Sequence, residues 1–229
     1  MNSKNYLTGF GIFVLFIAVF LSTFSAGHFG DDSPSSLLRS VSALQEQSFL
    51  ERYIENLVIL NPTRIAILSE NEGIWYLVGN EPLGMKIYVV ALLGLLVTVL
   101  YLGVSTLTSC RTTALFSVLS FICLVQFREY GDPILVFWGK TPFSLLVALM
   151  AFYCFLRYLT NQKIRWLSIG SVFYVVSVMM YEYNIAIAPF LFLILWAKSS
   201  LKFSQMLSKF SPLILFTLAY IGLTVYFRY

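Results

Sequence analysis

Charge is what this sequence has least of: Asp, Glu, Lys and Arg make up 11% of its 229 residues, and its mean hydropathy is +0.81. A soluble domain is charged at about a quarter of its positions, so a water-exposed globular fold is excluded. Disorder fails on the same ground, and no heptad pattern supports a coiled coil. Cysteine and histidine are scarce as well. Three Cys (Cys110, Cys123, Cys154) and a single His give neither a disulfide framework nor a usual zinc site. The sequence also lacks G-x-x-x-x-G-K-[ST], G-x-S-x-G, and any Lys/Arg cluster interleaved with aromatics. Nucleotide-phosphate chemistry, the nucleophile elbow and a nucleic-acid partner are therefore not indicated.

What the sequence does have is long apolar runs. Positions 6–26 and 87–107 hold 21 residues each, enough at 1.5 Å per residue to cross a hydrocarbon core of about 30 Å. Shorter runs lie at 112–127, 142–156, 166–181, 183–197 and 212–227, and their aromatic and basic flanks extend them. The expected fold is all-α: a polytopic transmembrane helical bundle of about seven spans forming a single membrane domain over 1–229. One helix through 166–197 would bring Glu182 near the bilayer centre at roughly 2.5–3.5 kcal/mol, so the run is predicted to be two short helices that turn at Glu182.

The charge map gives the orientation. With the amino terminus cytoplasmic, the inner segments hold Lys4, Arg111, Arg157, Lys163, Arg165, Lys198, Lys202 and Lys209 and no carboxylate, and all eleven acidic residues fall outside. Thr23 and Ser25 give a weak small-x-small cleavage pattern, but the apolar core before them is longer than a signal peptide needs. The expected location is thus an integral cell-membrane protein whose 28–86 loop is extracytoplasmic.

That loop has 59 residues, eight acidic and four basic. Gly30-Asp31-Asp32-Ser33-Pro34 reads as a helix start, and Leu37, Leu38, Val41, Leu44, Tyr53, Ile54, Leu57 and Val58 recur at three- and four-residue spacing. An amphipathic helix from Pro34 towards Leu60 is predicted, either lying on the membrane or walling a lipid-substrate groove. Asn61-Pro62 ends it, and short helices or re-entrant pieces follow around Trp75 and Tyr76 before the second span.

Three polar groups at the outer face are candidates for chemistry. Asp31 and Asp32, beside His28, follow the first span: partly desolvated carboxylates suit general-base work or a divalent cation, and the same residues suit an ordinary helix cap. Arg128, Glu129 and Asp132 form the next outer turn. Lys140 stands before Thr141-Pro142, a cap and first helical residue whose free N–H groups suit a lipid phosphate, or else Arg128 and Lys140 simply snorkel. Glu182, between Tyr181 and Tyr183, is an ionisable group close to the bilayer, either functional or a turn residue. All three groups fall on one face of the membrane.

This layout resembles the N-terminal core module of GT-C class membrane glycosyltransferases: a first span, a long outer loop with acidic residues just beyond the membrane (Asp31-Asp32), and then short-looped spans. A second outer acidic site matches Glu129 or Asp132, and an acidic residue followed by proline resembles Glu182 through Pro189. The resemblance implies a polyprenyl-phosphate-linked sugar donor and a saccharide or protein acceptor. Asp31, Asp32 and Glu182 would be catalytic, with Asp31 or Asp32 as base or metal ligand. His28, Arg128, Glu129, Asp132, Lys140, Tyr181 and Tyr183 would line the substrate site. The alternatives are a non-catalytic transporter or flippase for lipid-linked saccharides, or an assembly subunit with a further membrane partner.

Overall fold

The computed structural model describes residues 14, 16, 17, 48, 50, 51, 54, 82–124, 140–180 and 183–228. Among them the backbone is all-helical, without strands. Six helices follow in order: α1 (Pro82–Thr108), α2 (Arg111–Leu124), α3 (Lys140–Asn161), α4 (Ile164–Met180), α5 (Tyr183–Lys198) and α6 (Phe203–Arg228). They expose large apolar side chains outward, among them Phe116, Val172, Leu215 and Tyr226. A helix that is apolar on both its packed and its free side belongs in lipid. Many of their hydroxyls are satisfied within the helix, as a medium without water favours: Thr98 Oγ1 donates to Gly94 O at 2.8 Å, Ser171 Oγ to Leu167 O at 2.8 Å and Thr160 Oγ1 to Leu156 O at 2.9 Å. Among the described residues three stretches, Lys86–Thr108, Pro142–Asn161 and Phe203–Tyr226, are long and apolar enough to cross a membrane. Helices of 14 to 17 residues, such as α2, α4 and α5, reach about 21–26 Å, short of a hydrocarbon core of about 30 Å.

Two tight hairpins organise the bundle, each turning on a left-handed residue without being glycine: Ser109 (φ 56°) after α1 and Gln162 (φ 53°) after α3. Gln162 suits the position because it satisfies the last carbonyls of α3 twice, donating from its backbone N to Tyr158 O at 2.7 Å and from Nε2 to Leu159 O at 3.0 Å. Helix α3 is the hub. Its first half packs on α1 through Leu92, Leu96 and Leu146, and its second half meets Leu107, so α1 and α3 run parallel. Helix α4 returns antiparallel along α3: Tyr153 edges onto Trp166, and Phe155 lies against Gly170. A Cβ at Gly170 would stand 2.6 Å from Phe155 Cε1 and 3.1 Å from Cys154 Cβ, so only glycine permits this approach. Phe16, buried and helical, stands at Gly94 of α1.

The two-helix reading of 166–197 holds. Asn184 Nδ2 reaches Ser177 O at 2.7 Å, whereas seven residues of continuous helix would separate them by about 10.5 Å; α4 and α5 are therefore not one continuous helix, and the turn predicted at Glu182 lies outside the described residues. Several expected boundaries move. Helix α1 starts at Pro82, so the last residues of the 28–86 loop are helical. Helix α3 passes 156 to end at Asn161, and α6 starts at Phe203 rather than 212, carrying Pro212 inside. Proline cannot donate to the carbonyl of Ser208, and Ser211 Oγ supplies that bond instead at 2.8 Å. The helix expected from Pro34 to Leu60 is not continuous. Ser48 is non-helical and forms a reciprocal cap with Glu51, Ser48 N donating to Glu51 Oε2 at 3.0 Å and Glu51 N to Ser48 Oγ at 3.3 Å, where Leu50, Glu51 and Ile54 are helical. Donation from the Ser48 backbone, then from its hydroxyl, holds the Glu51 carboxyl below its ordinary range.

Candidate functional site: an apolar cavity beneath a buried amide

The packing that closes α3 on α4 does not extend to α5 and α6. These two helices meet near their shared turn through edge-to-face rings, Phe192 on Phe203 (5.9 Å) and Trp196 on Phe203 (5.1 Å), and Phe210 turns inward to meet Phe155 at 5.2 Å. Beyond this aromatic floor lies a cavity of about 480 Å³ between α3, α4, α5 and α6, bounded further along by Ile185, Ala188, Leu218 and Ile221. That size falls in the range of about 300–1,000 Å³ typical of small-molecule sites.

Its chemistry is set by the only polar side chains on its wall among the described residues, Tyr174 and Thr217, whose oxygens are 2.6 Å apart. Thr217 Oγ1 donates its proton to Leu213 O at 2.8 Å, so Tyr174 must be the donor in the Tyr174–Thr217 bond. Both hydroxyl protons are committed within the protein. The wall therefore offers an occupant dispersion contacts and burial of apolar surface, which suits a hydrocarbon chain.

Near Ile185 the bundle changes character. Asn184, 3% exposed, donates from Nδ2 to Ser144 Oγ at 2.8 Å and to Ser177 O at 2.7 Å, tying the first turns of α3 and α5 to the last turn of α4. A carbonyl only accepts, so the amide nitrogen must face Ser177, and Oδ1 is left buried without a partner among the described residues.

Of the residues singled out in the sequence, Lys140 opens α3 and Tyr183 opens α5, and the Asn184–Ser144 bond brings those helix starts to one end of the bundle. His28, Asp31, Asp32, Arg128, Glu129, Asp132, Tyr181 and Glu182 lie outside the described residues. So does the proposed divalent-cation position at Asp31 and Asp32; among the described residues no three His, Cys, Asp or Glu side chains come together. All three cysteines are free thiols. Cys110 precedes α2, and hydrogen bonding from Thr113, side chain first, pulls its thiol below the usual range.

Sequence reasoning missed the cavity and the buried amide. Cavity-lining and lipid-facing residues are the same apolar types, so nothing in the pattern separates them. Asn184 did leave a signal, as a polar residue interrupting an apolar run, but its partners are 40 and 7 residues away. Comparison with known protein families, with curated proteins and with solved structures finds no match to this chain.

Proposed function

We propose that this chain is a seven-span integral membrane glycosyltransferase of the GT-C type, moving a sugar from a polyprenyl-phosphate donor to a saccharide or protein acceptor at the extracytoplasmic face. The observation that supports it best is the cavity, whose wall has an aromatic floor and, among the described residues, no uncommitted hydroxyl proton, as suits a polyprenyl tail. In this reading the basic hairpin end of the bundle is cytoplasmic, and the opposite end, where α3 and α5 begin, holds the donor phosphate through Lys140 and Arg128. Asp31 or Asp32 takes the proton of the acceptor hydroxyl as its oxygen attacks the anomeric carbon. The bond from that carbon to the donor phosphate breaks, and polyprenyl phosphate leaves. Glu182, with Tyr181 and Tyr183, closes the acceptor side.

The test uses the full chain in liposomes with a polyprenyl-phosphate sugar. Asp31→Asn or Asp32→Asn is expected to lower transfer by about 10²–10⁴-fold, the usual share of a general base, with membrane insertion unchanged. Full transfer in both variants would remove Asp31 and Asp32 as the base, whereas no transfer by the wild type would remove the enzyme reading and favour a carrier or flippase that needs the cavity but not the carboxylates.

A further inference from the structure

The end of the bundle carrying the α1–α2, α3–α4 and α5–α6 turns is rich in cations, and no carboxylate occurs among the described residues of α1 to α6. Two of those cations share one aromatic ring. Arg157 near the end of α3 and Arg165 at the start of α4 each place the guanidinium carbon 5.6 Å from the centroid of the same indole, that of Trp166. Tyr153 fixes this ring from its edge, at 6.4 Å and 77°. The ring attracts each guanidinium, and two like charges held at one ring attract an anion. Two donors here also lack acceptors: Arg157 Nε and Trp166 Nε1 are buried without a hydrogen-bond partner among the described residues. Lys209, on the other side of the same hairpin, differs, since its ammonium sits over Tyr158 at 5.4 Å and 3.5 Å from Gln162 Oε1.

Depth identifies the source of the anion. Arg157 lies just inside the end of the Pro142–Asn161 stretch, and tryptophan concentrates at the level of lipid headgroups. Along α4 from the same point, Ile164, Ile169 and Val172 are exposed at 69%, 42% and 62%, an apolar strip that suits acyl chains. We infer that Arg157, Trp166 and Arg165 form a binding site for the phosphate of an anionic phospholipid, with its chains against α4. Basic pockets between membrane helices recognise acidic headgroups in this way. The site is separate from the cavity and does not depend on the glycosyl-transfer reading.

The test is lipid retention by the purified full-length protein, exchanged from membranes containing phosphatidylglycerol and phosphatidylcholine into mild detergent and weighed by native mass spectrometry. Wild type is expected to keep phosphatidylglycerol in preference to phosphatidylcholine. Arg165→Gln, a change at an exposed side chain that leaves packing intact, is expected to lower that retention about tenfold, and Trp166→Phe by less, the loss of one charge-assisted partner being the larger effect. Removing Lys198 and Lys202 together by Gln should leave retention unchanged. An equal loss in that control would mean that diffuse charge attracts the lipid, and the site would be withdrawn. Inorganic phosphate added in detergent should fail to displace the lipid; displacement at millimolar levels would assign the cations to a free anion instead.

Discussion

The two halves of the described bundle solve one packing problem differently. Along α3 and α4 the backbones meet at Gly170 with Phe155 pressed against it, and turns at Ser109 and Gln162 keep both hairpins short. Helices α5 and α6 have no glycine at their contact: Phe192, Trp196, Phe203 and Phe210 prop them with large rings near the turn and leave space beyond it. Small residues give contact, while bulky ones clustered at one end give a cavity. In a bilayer, where burial of apolar surface against protein brings little over burial against lipid, shape complementarity decides where helices close and where they part.

The sharpest way to break this contrast is to add volume in both places. Gly170→Val is expected to cost about 3 kcal/mol, at the upper end for overpacking, because the ring it meets is itself buried; thermal unfolding in detergent would report it. Asn184→Ala should cost about 1–3 kcal/mol, the penalty for orphaning a buried carbonyl, and Asn184→Gln should not restore it, since the longer amide misses Ser144. Ala188→Phe, pointing bulk into the cavity, is expected to change stability by under about 1 kcal/mol while displacing bound hydrocarbon, as read by competition with a fluorescent lipid. If Gly170→Val and Ala188→Phe cost the same, the contrast between the halves is wrong.

A smaller effect concerns the thiols at the edge of the tight half. Cys154 is buried beside Gly170, whereas Cys110 is exposed in the α1–α2 turn. Because the Cys110 thiol is depressed by Thr113, its thiolate, and hence its alkylation rate, should rise with pH earlier than an ordinary thiol of about 8.5. Thr113→Val should move that profile upward in pH, and Cys154 should react slowly throughout. An impermeant maleimide that labels Cys110 only in opened cells would place this turn in the cytoplasm.

Much of the helix order was legible in advance. The run through 87–107 became α1, the run through 166–197 became the two helices α4 and α5, and the basic segments marked the turns, because length, polarity and charge are local properties that a one-dimensional reading captures. Boundaries were less legible. Nothing around Lys209 distinguishes a loop from the opening turns of α6, since the bond from Ser211 that accommodates Pro212 becomes apparent only once the helix exists.

Composition alone committed this chain to helices in an apolar medium, because so few charges cannot cover a water-facing surface and every backbone polar group must then be paired within its own segment. Tertiary structure alone decided which apolar faces touch, where about 480 Å³ stays open, and that Asn184, Ser144 and Ser177 share one point. Those outcomes depend on the three-dimensional fit of side chains far apart in sequence, and apolar residues facing lipid, a cavity or a neighbouring helix are chemically alike until that fit exists.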